Sequence, residues 1–416
     1  MYRQCAGAGC KTSLKLLVFS HFIGYKTVPM QSHTSIHKVR TKTALCARAL
    51  SLIVVALLVP TVWAKDCLVY FGTFTDAASK GIYVSHLDLD SGKLSAPELA
   101  VAVGSPNYLA ISPDGHFLFA VTRGDKGDGA VATFSVDANT GTLKELDQKS
   151  SGGNGPCYVG LDTPDQAVIV ANYSGGTVKS FHLNSDGTLV DGTIVEHHGS
   201  SVNPDRQAGP HPHCFVPAPD GRFALACDLG LDKVMIYRVN PANGTLTTND
   251  PAFAAIAPGS GPRHIAFSPN GKSACVISEM ACTATVFSWN GAKGKLRERQ
   301  TVQLLPPGQY QKNFTAAEIA YRPDGRFVYA TVRTHNSISV LAVDGKKLSL
   351  VQNLPCAGDF PRGMGIDPTG HWLIVGNQKS KTVTVFAIDA ATGKLTYTGQ
   401  SMVIGDPVDV KFLPVQ

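Results

Sequence analysis

One short turn recurs seven times along this chain: "SPDG" (112–115), "TPDQ" (163–166), "APDG" (218–221), "SPNG" (268–271), "RPDG" (322–325), "DPTG" (367–370) and a final "LPVQ" (413–416). Its prolines, Pro113, Pro164, Pro219, Pro269, Pro323, Pro368 and Pro414, lie 45 to 55 residues apart. Proline at the first central position presets φ, and the Asp or Asn and Gly after it suit a tight reversal. A short apolar strand precedes the turn ("YLAIS", "HIAFS", "GMGID", "VDVKFL") and another follows it ("FLFAVT", "SACVIS", "FVYATV", "WLIVGN"). A third strand alternates with period two ("TVKSFHL", "TATVFSW", "SISVLAV", "TVTVFAI"), and a turn such as "DANTGTL" leads to a weaker fourth. No stretch keeps a helical period.

Four antiparallel strands per unit, repeated seven times, predict an all-β fold: a seven-bladed β-propeller. The seventh unit stops after one strand, "VDVKFLP". The body begins with "CLVYFGTF", "GIYVSHLDL" and "GKLSAPELAV", the three strands that unit lacks. One blade is therefore expected to be closed by strands from both termini, which leaves the ring no open edge. Length alone suggests two or three domains; the repeat reads residues 65–416 as one.

Charge separates this body from what precedes it. Residues 1–64 carry eight of the 37 Lys and Arg and no Asp or Glu, which leaves 29 basic against 31 acidic residues in the rest. The overall +6 thus belongs to the leader, and the body offers no basic stripe for nucleic acid. Within the leader, "ALSLIVVALLV" (49–59) is an apolar run behind Lys42 and Arg48, and "PTVWA" offers small residues for cleavage after Ala64. The run is shorter than the ~20 residues of a membrane span. It reads as an export signal, with Met30 the better start and a retained N-terminal anchor as the alternative. The mature protein is expected to be periplasmic or secreted, monomeric and free of the membrane; an unused leader would leave it cytoplasmic.

Seven cysteines follow the leader: Cys67, Cys157, Cys214, Cys227, Cys275, Cys282 and Cys356. They are odd in number and form no CxxC pair, so they read as small core residues, with one bridge left open.

Propeller topology gathers residues that are far apart in sequence. The first strand of each blade lines the channel, so its start and the end of the second strand share one mouth, and the PDG turns lie on the opposite face. The strand starts "PNY" (106–108), "PCY" (156–158), "PHPH" (210–213), "PRH" (262–264), "AEI" (317–319) and "PRG" (361–363) meet there with "ANY" (171–173), "CDLG" (227–230), "SEM" (278–280), "VRTHN" (332–336) and "GNQKS" (376–380). His211, His213, Arg263, His264, Glu279, Glu318, Arg333, Arg362 and Gln378 should converge in one polar, partly cationic funnel suited to a small anion. Each also has a plainer reading: Arg263 and Arg362 as braces between blades, Glu279 as a brace for Arg263, and His211 and His213 as loop residues. His-x-His is a possible metal pair, but no third ligand sits at family-type spacing, and no metal or other cofactor is expected. His182, His197 and His198 fall outside the mouth pattern and are expected at the surface.

The segments "YFGTFT" with "GIYVSHLD", "QAGPHPH", "PDGRFALACDLGLDKV", "GPRHIAFSPNGKSACVISE", "AEIAYRPDGRFVYATVRTHNSISV" and "PRGMGIDPTGHWLIVGNQKSKTVTVF" together resemble the seven-bladed β-propeller lactonases. These are the propeller-type bacterial 6-phosphogluconolactonases, with the fungal carboxy-muconate cyclases as relatives. The resemblance covers about 67–416. It implies a metal-free hydrolase that opens sugar lactones, with a functional mouth matching His211, His213, Arg263, Glu279 and Arg362. The chain departs from the pattern at "ISEM", where Ser278 stands in place of an amide beside the acid.

Lactone hydrolysis needs an activated water, a stabilised oxyanion and a protonated leaving alkoxide. Either Glu279 or His213 could take the water's proton. Arg263 is expected on the carbonyl oxygen. Arg362 with Arg333 is expected to hold an anionic substituent through forked guanidinium groups. His211, His264 and Gln378 complete the expected substrate contacts. No GxSxG elbow occurs in the body, which disfavours a serine acyl-enzyme. A lactonising cyclase acting on an unsaturated diacid, and a non-catalytic binding platform, are the competing functions. The family's phosphorylated lactone is a cytoplasmic intermediate and the leader points to export, so the expected substrate is an unphosphorylated or otherwise acidic lactone.

Overall fold

The computed structural model describes residues 66–123, 128–162, 167–240 and 242–415. The leader, its cleavage site and the "TPDQ" turn lie outside the described residues. The described chain holds 28 strands and no helix, arranged as seven four-stranded antiparallel sheets. The first strands of the sheets are Tyr108–Ile111, Pro156–Asp162, Pro212–Pro217, Pro262–Phe267, Thr315–Tyr321, Pro361–Ile366 and Pro407–Pro414. Each touches the next around the ring, and the last touches Tyr108–Ile111. This is the seven-bladed propeller.

The closing blade joins both ends of the body. Its strand order is Pro407–Pro414, Asp66–Thr73, Gly81–Asp88, Glu98–Ala102, and Phe71 pairs with Val410 across the seam. The outer strand of this blade begins only after Pro97, which has no N–H to give to a ladder; it is shorter than "GKLSAPELAV" suggests.

The turns explain the repeat. In "SPDG" the Gly115 N–H donates to the Ser112 carbonyl (2.8 Å), and in "SPNG" Gly271 donates to Ser268 in the same way (2.8 Å). The glycines stand at φ +72° and +65°, a left-handed conformation that costs residues with a Cβ. The acceptor oxygen of Asp114 or Asn270 takes the N–H two residues on (3.1 and 3.0 Å), so each letter of the motif satisfies a separate backbone requirement.

Second strands are sandwiched between neighbouring sheets and buried but for some end residues; Phe223–Asp228 and Ser273–Ser278 are buried along their whole length. Fourth strands face solvent and alternate, as in Lys295–Gln303, which is why their sequence signal is weak. The core is the set of layers between blades: Cys275, Ile277 and Val286 pack against Val328, Ala330 and Leu341 of the next sheet. The seven described cysteines are all free thiols, and six are buried.

One surface expectation is overturned. His197 is buried (4% exposed): its Nδ1 donates to Asp228 Oδ2 (2.6 Å), and the Tyr237 hydroxyl donates to its Nε2 (2.6 Å). The alternating outer strand ends at Glu196, and the chain then turns inward between blades, a change that pattern alone does not announce. His182 is half-buried and His198 exposed.

Candidate active site

The mouth holds a cavity of about 260 Å³ lined by Phe74, Asn107, Arg123, Cys157, Tyr173, Arg206, His213, Glu279, Arg333 and Arg362, among others. No residue of the PDG turns lines it, as the topology requires.

Glu279 is its electrostatic centre. Oε1 accepts a hydrogen bond from Arg206 Nη2 (2.7 Å). Oε2 lies 2.8 Å from Arg333 Nη2 and 3.2 Å from Arg263 Nε. Burial favours the neutral acid here, but Arg333 and Arg263, with Arg206, outweigh it and hold the carboxyl well below the usual carboxylate range. Glu279 is therefore a firmly ionised anchor and a poor proton acceptor.

His213 has the opposite character. Burial first, then the nearby Arg263 and His264, push its pKa well below the ordinary value of 6.5. Its ring is neutral at neutral pH. It stands edge-on to Tyr173 and His264 (centroids 5.4 and 5.1 Å). Cys157 lies beside it, Sγ 3.9 Å from Nδ1, but burial pushes this thiol up to about 12, so it is no thiolate nucleophile at neutral pH.

The arginines split by partner. Arg263 does not line the cavity. It is 2% exposed, its Nη1 donates to the Ala317 carbonyl (2.5 Å), and the same nitrogen lies 3.3 Å from His264 Nε2. This removes it from the carbonyl position expected of it and makes it a brace beneath Glu279. Arg333 lines the cavity and also donates to the Ala316 carbonyl (3.1 Å). Arg362 lines it 5.3 Å from the Phe74 ring centroid, and no carboxylate pairs with it among the described residues. Burial, then Arg263 and Arg333, lower its pKa, yet the group stays cationic at neutral pH. A half-buried cation that faces a cavity with no paired carboxylate is a site for an anion or a developing negative charge.

Besides Arg263, four expected residues stand outside the cavity: His264, Glu318, His211 and Gln378. His264 is under its floor, with Nδ1 3.0 Å from Glu318 Oε1 and its ring edge-on to Tyr108 and Tyr158. Burial lowers its pKa and raises that of Glu318. His211 lies behind Tyr173: its Nδ1 donates to the Tyr173 carbonyl (2.9 Å) and its ring stacks on that tyrosine (4.5 Å). The histidines of "PHPH" thus diverge, one buttressing a wall and one reaching the cavity. Gln378 receives a place through its backbone, whose N–H donates to the Phe360 carbonyl (3.0 Å). No group of three His, Cys, Asp or Glu side chains that could hold a metal occurs among the described residues.

Sequence reasoning missed Arg206, Arg123, Tyr173, Phe74, Asn107 and Cys157. The last two, and Tyr173, sit in mouth motifs that the topology had already located. Arg206 comes from the loop between an outer strand and the next inner one, where no repeat signals it.

A seven-bladed propeller with an arginine-lined mouth, one ionised carboxylate and a neutral imidazole defines a class: a β-propeller with a small, polar, cationic cavity at one face of its ring. The chain belongs to the family described as "Lactonase, 7-bladed beta-propeller", which it matches over residues 68–412. It is 35% identical over 346 residues to the 6-phosphogluconolactonase of Bacillus subtilis, covering 83% of this chain and 97% of that one. The 6-phosphogluconolactonase of Formosa agariphila is 28% identical, over 80% of this chain and 96% of its own. Among solved structures, the periplasmic gluconolactonase of Pseudomonas aeruginosa superposes with a TM-score of 0.80 at 33% identity, covering 84% of this chain and all of that one.

Proposed function

We propose that the protein is a carboxylic ester hydrolase that opens a sugar lactone to its aldonic acid. The observation that carries this is the pairing, in one cavity, of a neutral imidazole (His213) with an unpaired guanidinium (Arg362). His213 takes a proton from water as the water oxygen bonds to the lactone carbonyl carbon. Arg362 stabilises the negative charge that develops on the carbonyl oxygen. The ring C–O bond then breaks, and the imidazolium returns the proton to the leaving alkoxide. Glu279 keeps Arg333 and Arg206 oriented toward the cavity, and Arg263 holds Glu279 from below. This moves the base role to His213 and the carbonyl role from Arg263 to Arg362.

The preferred substrate is an unphosphorylated gluconolactone-type compound. The leader supports it, as does the likeness to a protein named as a periplasmic gluconolactonase. A 6-phosphorylated lactone is the second reading, favoured by Arg362 together with Arg123 and Arg206 around the cavity and by the names of the Bacillus and Formosa relatives. A panel of lactones with and without a 6-phosphate, run in EDTA on protein starting at Lys65, tests both. Turnover should persist in EDTA, and kcat/KM should not favour the phosphate ester. Strong preference for the ester would select the second reading; turnover of no lactone would remove both.

A further inference from the structure

Asp232 is buried (4% exposed) and lies outside the cavity, yet it receives four hydrogen bonds. Ser201 Oγ (2.6 Å), Gln207 Nε2 (2.8 Å) and the Gly259 N–H (2.7 Å) donate to Oδ2. The Gly261 N–H donates to Oδ1 (2.7 Å). No cation pairs with it among the described residues, so neutral donors alone replace its water, as a buried carboxylate demands.

Those donors come from two segments that meet at Glu279. Ser201 and Gln207 close the loop that carries Arg206: Ser201 N–H donates to the Gln207 carbonyl (2.9 Å), and Gln207 N–H to the Asn203 carbonyl (2.7 Å). Gln207, the neighbour of Arg206, is fully buried and donates from the same Nε2 to the Leu229 carbonyl (2.8 Å). Gly259 and Gly261 form the lead-in to Arg263, and the Gly261 carbonyl accepts the N–H of Glu279 itself (2.7 Å). One carboxylate thus ties down a neighbour of Arg206 and the backbone partner of Glu279.

Its position explains how it reaches both. Asp232 ends the hairpin turn between the second and third strands of its blade, at φ +52°, where Gly176, Cys282, Asn336 and Lys381 stand in other blades at +65°, +50°, +56° and +56°. In each of these blades this residue's carbonyl accepts an N–H from the end of the outer strand, as from Ile256 to Asp232 (2.9 Å) and from Cys356 to Asn336 (2.9 Å). The left-handed backbone turns the side chain toward the next blade. Asn336 uses it in the same way: its Nδ2 donates to Asp359 Oδ1 (2.8 Å) and its Oδ1 accepts the Phe360 N–H (2.9 Å), fixing the lead-in to Arg362. The device therefore recurs at the two lead-ins that deliver arginines.

We infer that Asp232 is a positioning residue, which sets the Arg206–Glu279 contact by clamping the 199–207 loop to the 257–261 lead-in. The activity arm of its test rests on the lactonase reading; a second arm does not. In the first, kcat/KM is measured for Asp232→Asn, Arg206→Ala and the double variant on whichever lactone the wild type turns over. Asp232→Asn should cost on the order of 10-fold, and the cost should shrink to below about 3-fold when Arg206 is already absent, since coupled residues are non-additive. In the second, amide hydrogen exchange should quicken in 199–207 and 257–261 of Asp232→Asn and stay unchanged in the opposite blades. Ser201→Ala, which removes one donor and leaves the carboxylate in place, must show the same non-additivity and exchange pattern on a smaller scale, and it serves if Asp232→Asn does not fold. Full additivity with Arg206→Ala, or unchanged exchange in both segments, overturns the inference. A wild type that opens no lactone overturns the functional reading alone and leaves the exchange arm to decide this one.

Discussion

Glu279 and His213 are buried side by side, but burial acts on them against different neighbours. Glu279 faces guanidinium groups that outweigh its desolvation; His213 faces cations that add to its own. One is held as an anion and the other as a neutral ring. His213→Asn should lower kcat by about 10²- to 10⁴-fold with little change in Tm; wild-type turnover would end the assignment. Glu279→Gln should lose both activity and stability, the latter by about 3–5 kcal/mol, because it leaves buried arginines unpaired, and denaturant unfolding reads this directly. The pH profile has a definite sign. Because the folded site depresses the His213 pKa, the acid limb of kcat/KM should lie below 6.5. Stability should fall in the same window: the unfolded chain takes up the proton first, so the neutral ring's contribution is present above 6.5 and is lost as pH falls toward the folded value. An acid limb at or above 6.5 would show that His213 is not the base.

At the scale of elements, the PDG turn and the strand pair around it were legible because their requirements are local. Proline fixes its own φ, the Asp or Asn oxygen meets an N–H two residues away, and glycine alone is comfortable where φ is positive. Gly271→Ala puts a Cβ at φ +65°, 3.2 Å from Pro219 of the neighbouring blade, and should cost about 1–2 kcal/mol, measurable as a shift in denaturant midpoint at unchanged m-value. The turns at the mouth follow no such motif. Gly, Asp, Cys, Asn and Lys occupy one left-handed position in different blades, so a search for a repeated residue passes over Asp232 and Asn336. Arg206 was missed for the related reason that its loop lies outside the repeat.

For the molecule as a whole, closure is the organising constraint. The strand Pro407–Pro414 is the inner strand of the blade that begins at Asp66, and its residues pack with both ends of the body: Val410 joins Val69 and Ile374, and Leu413 joins Leu68 and Leu118. Deleting residues 407–416 would expose an unpaired inner edge and open the apolar layers on either side of it. The truncated chain should be recovered as aggregate or bind a hydrophobic dye. A monomeric truncation that melts in one cooperative transition near the wild-type Tm would show that the ring does not depend on its seam.

What the sequence determined by itself was the ring, its seven blades, its closure by both termini and the face on which the arginine-lined cavity lies. All of these follow from period and order, which are properties of the chain read along its length. It also named residues that the mouth brings together, among them Glu279, His213, Arg333 and Arg362. Tertiary structure alone decided what each of them is. Arg263 and Arg362 occupy equivalent places, "PRH" and "PRG", yet the first ends on a carbonyl and a carboxylate under the floor and the second faces the cavity unpaired. His211 and His213 differ by two positions, and one supports a tyrosine while the other lines the cavity. Charge state, burial and partner depend on side chains brought in from other blades, and those distances are set only when the ring closes.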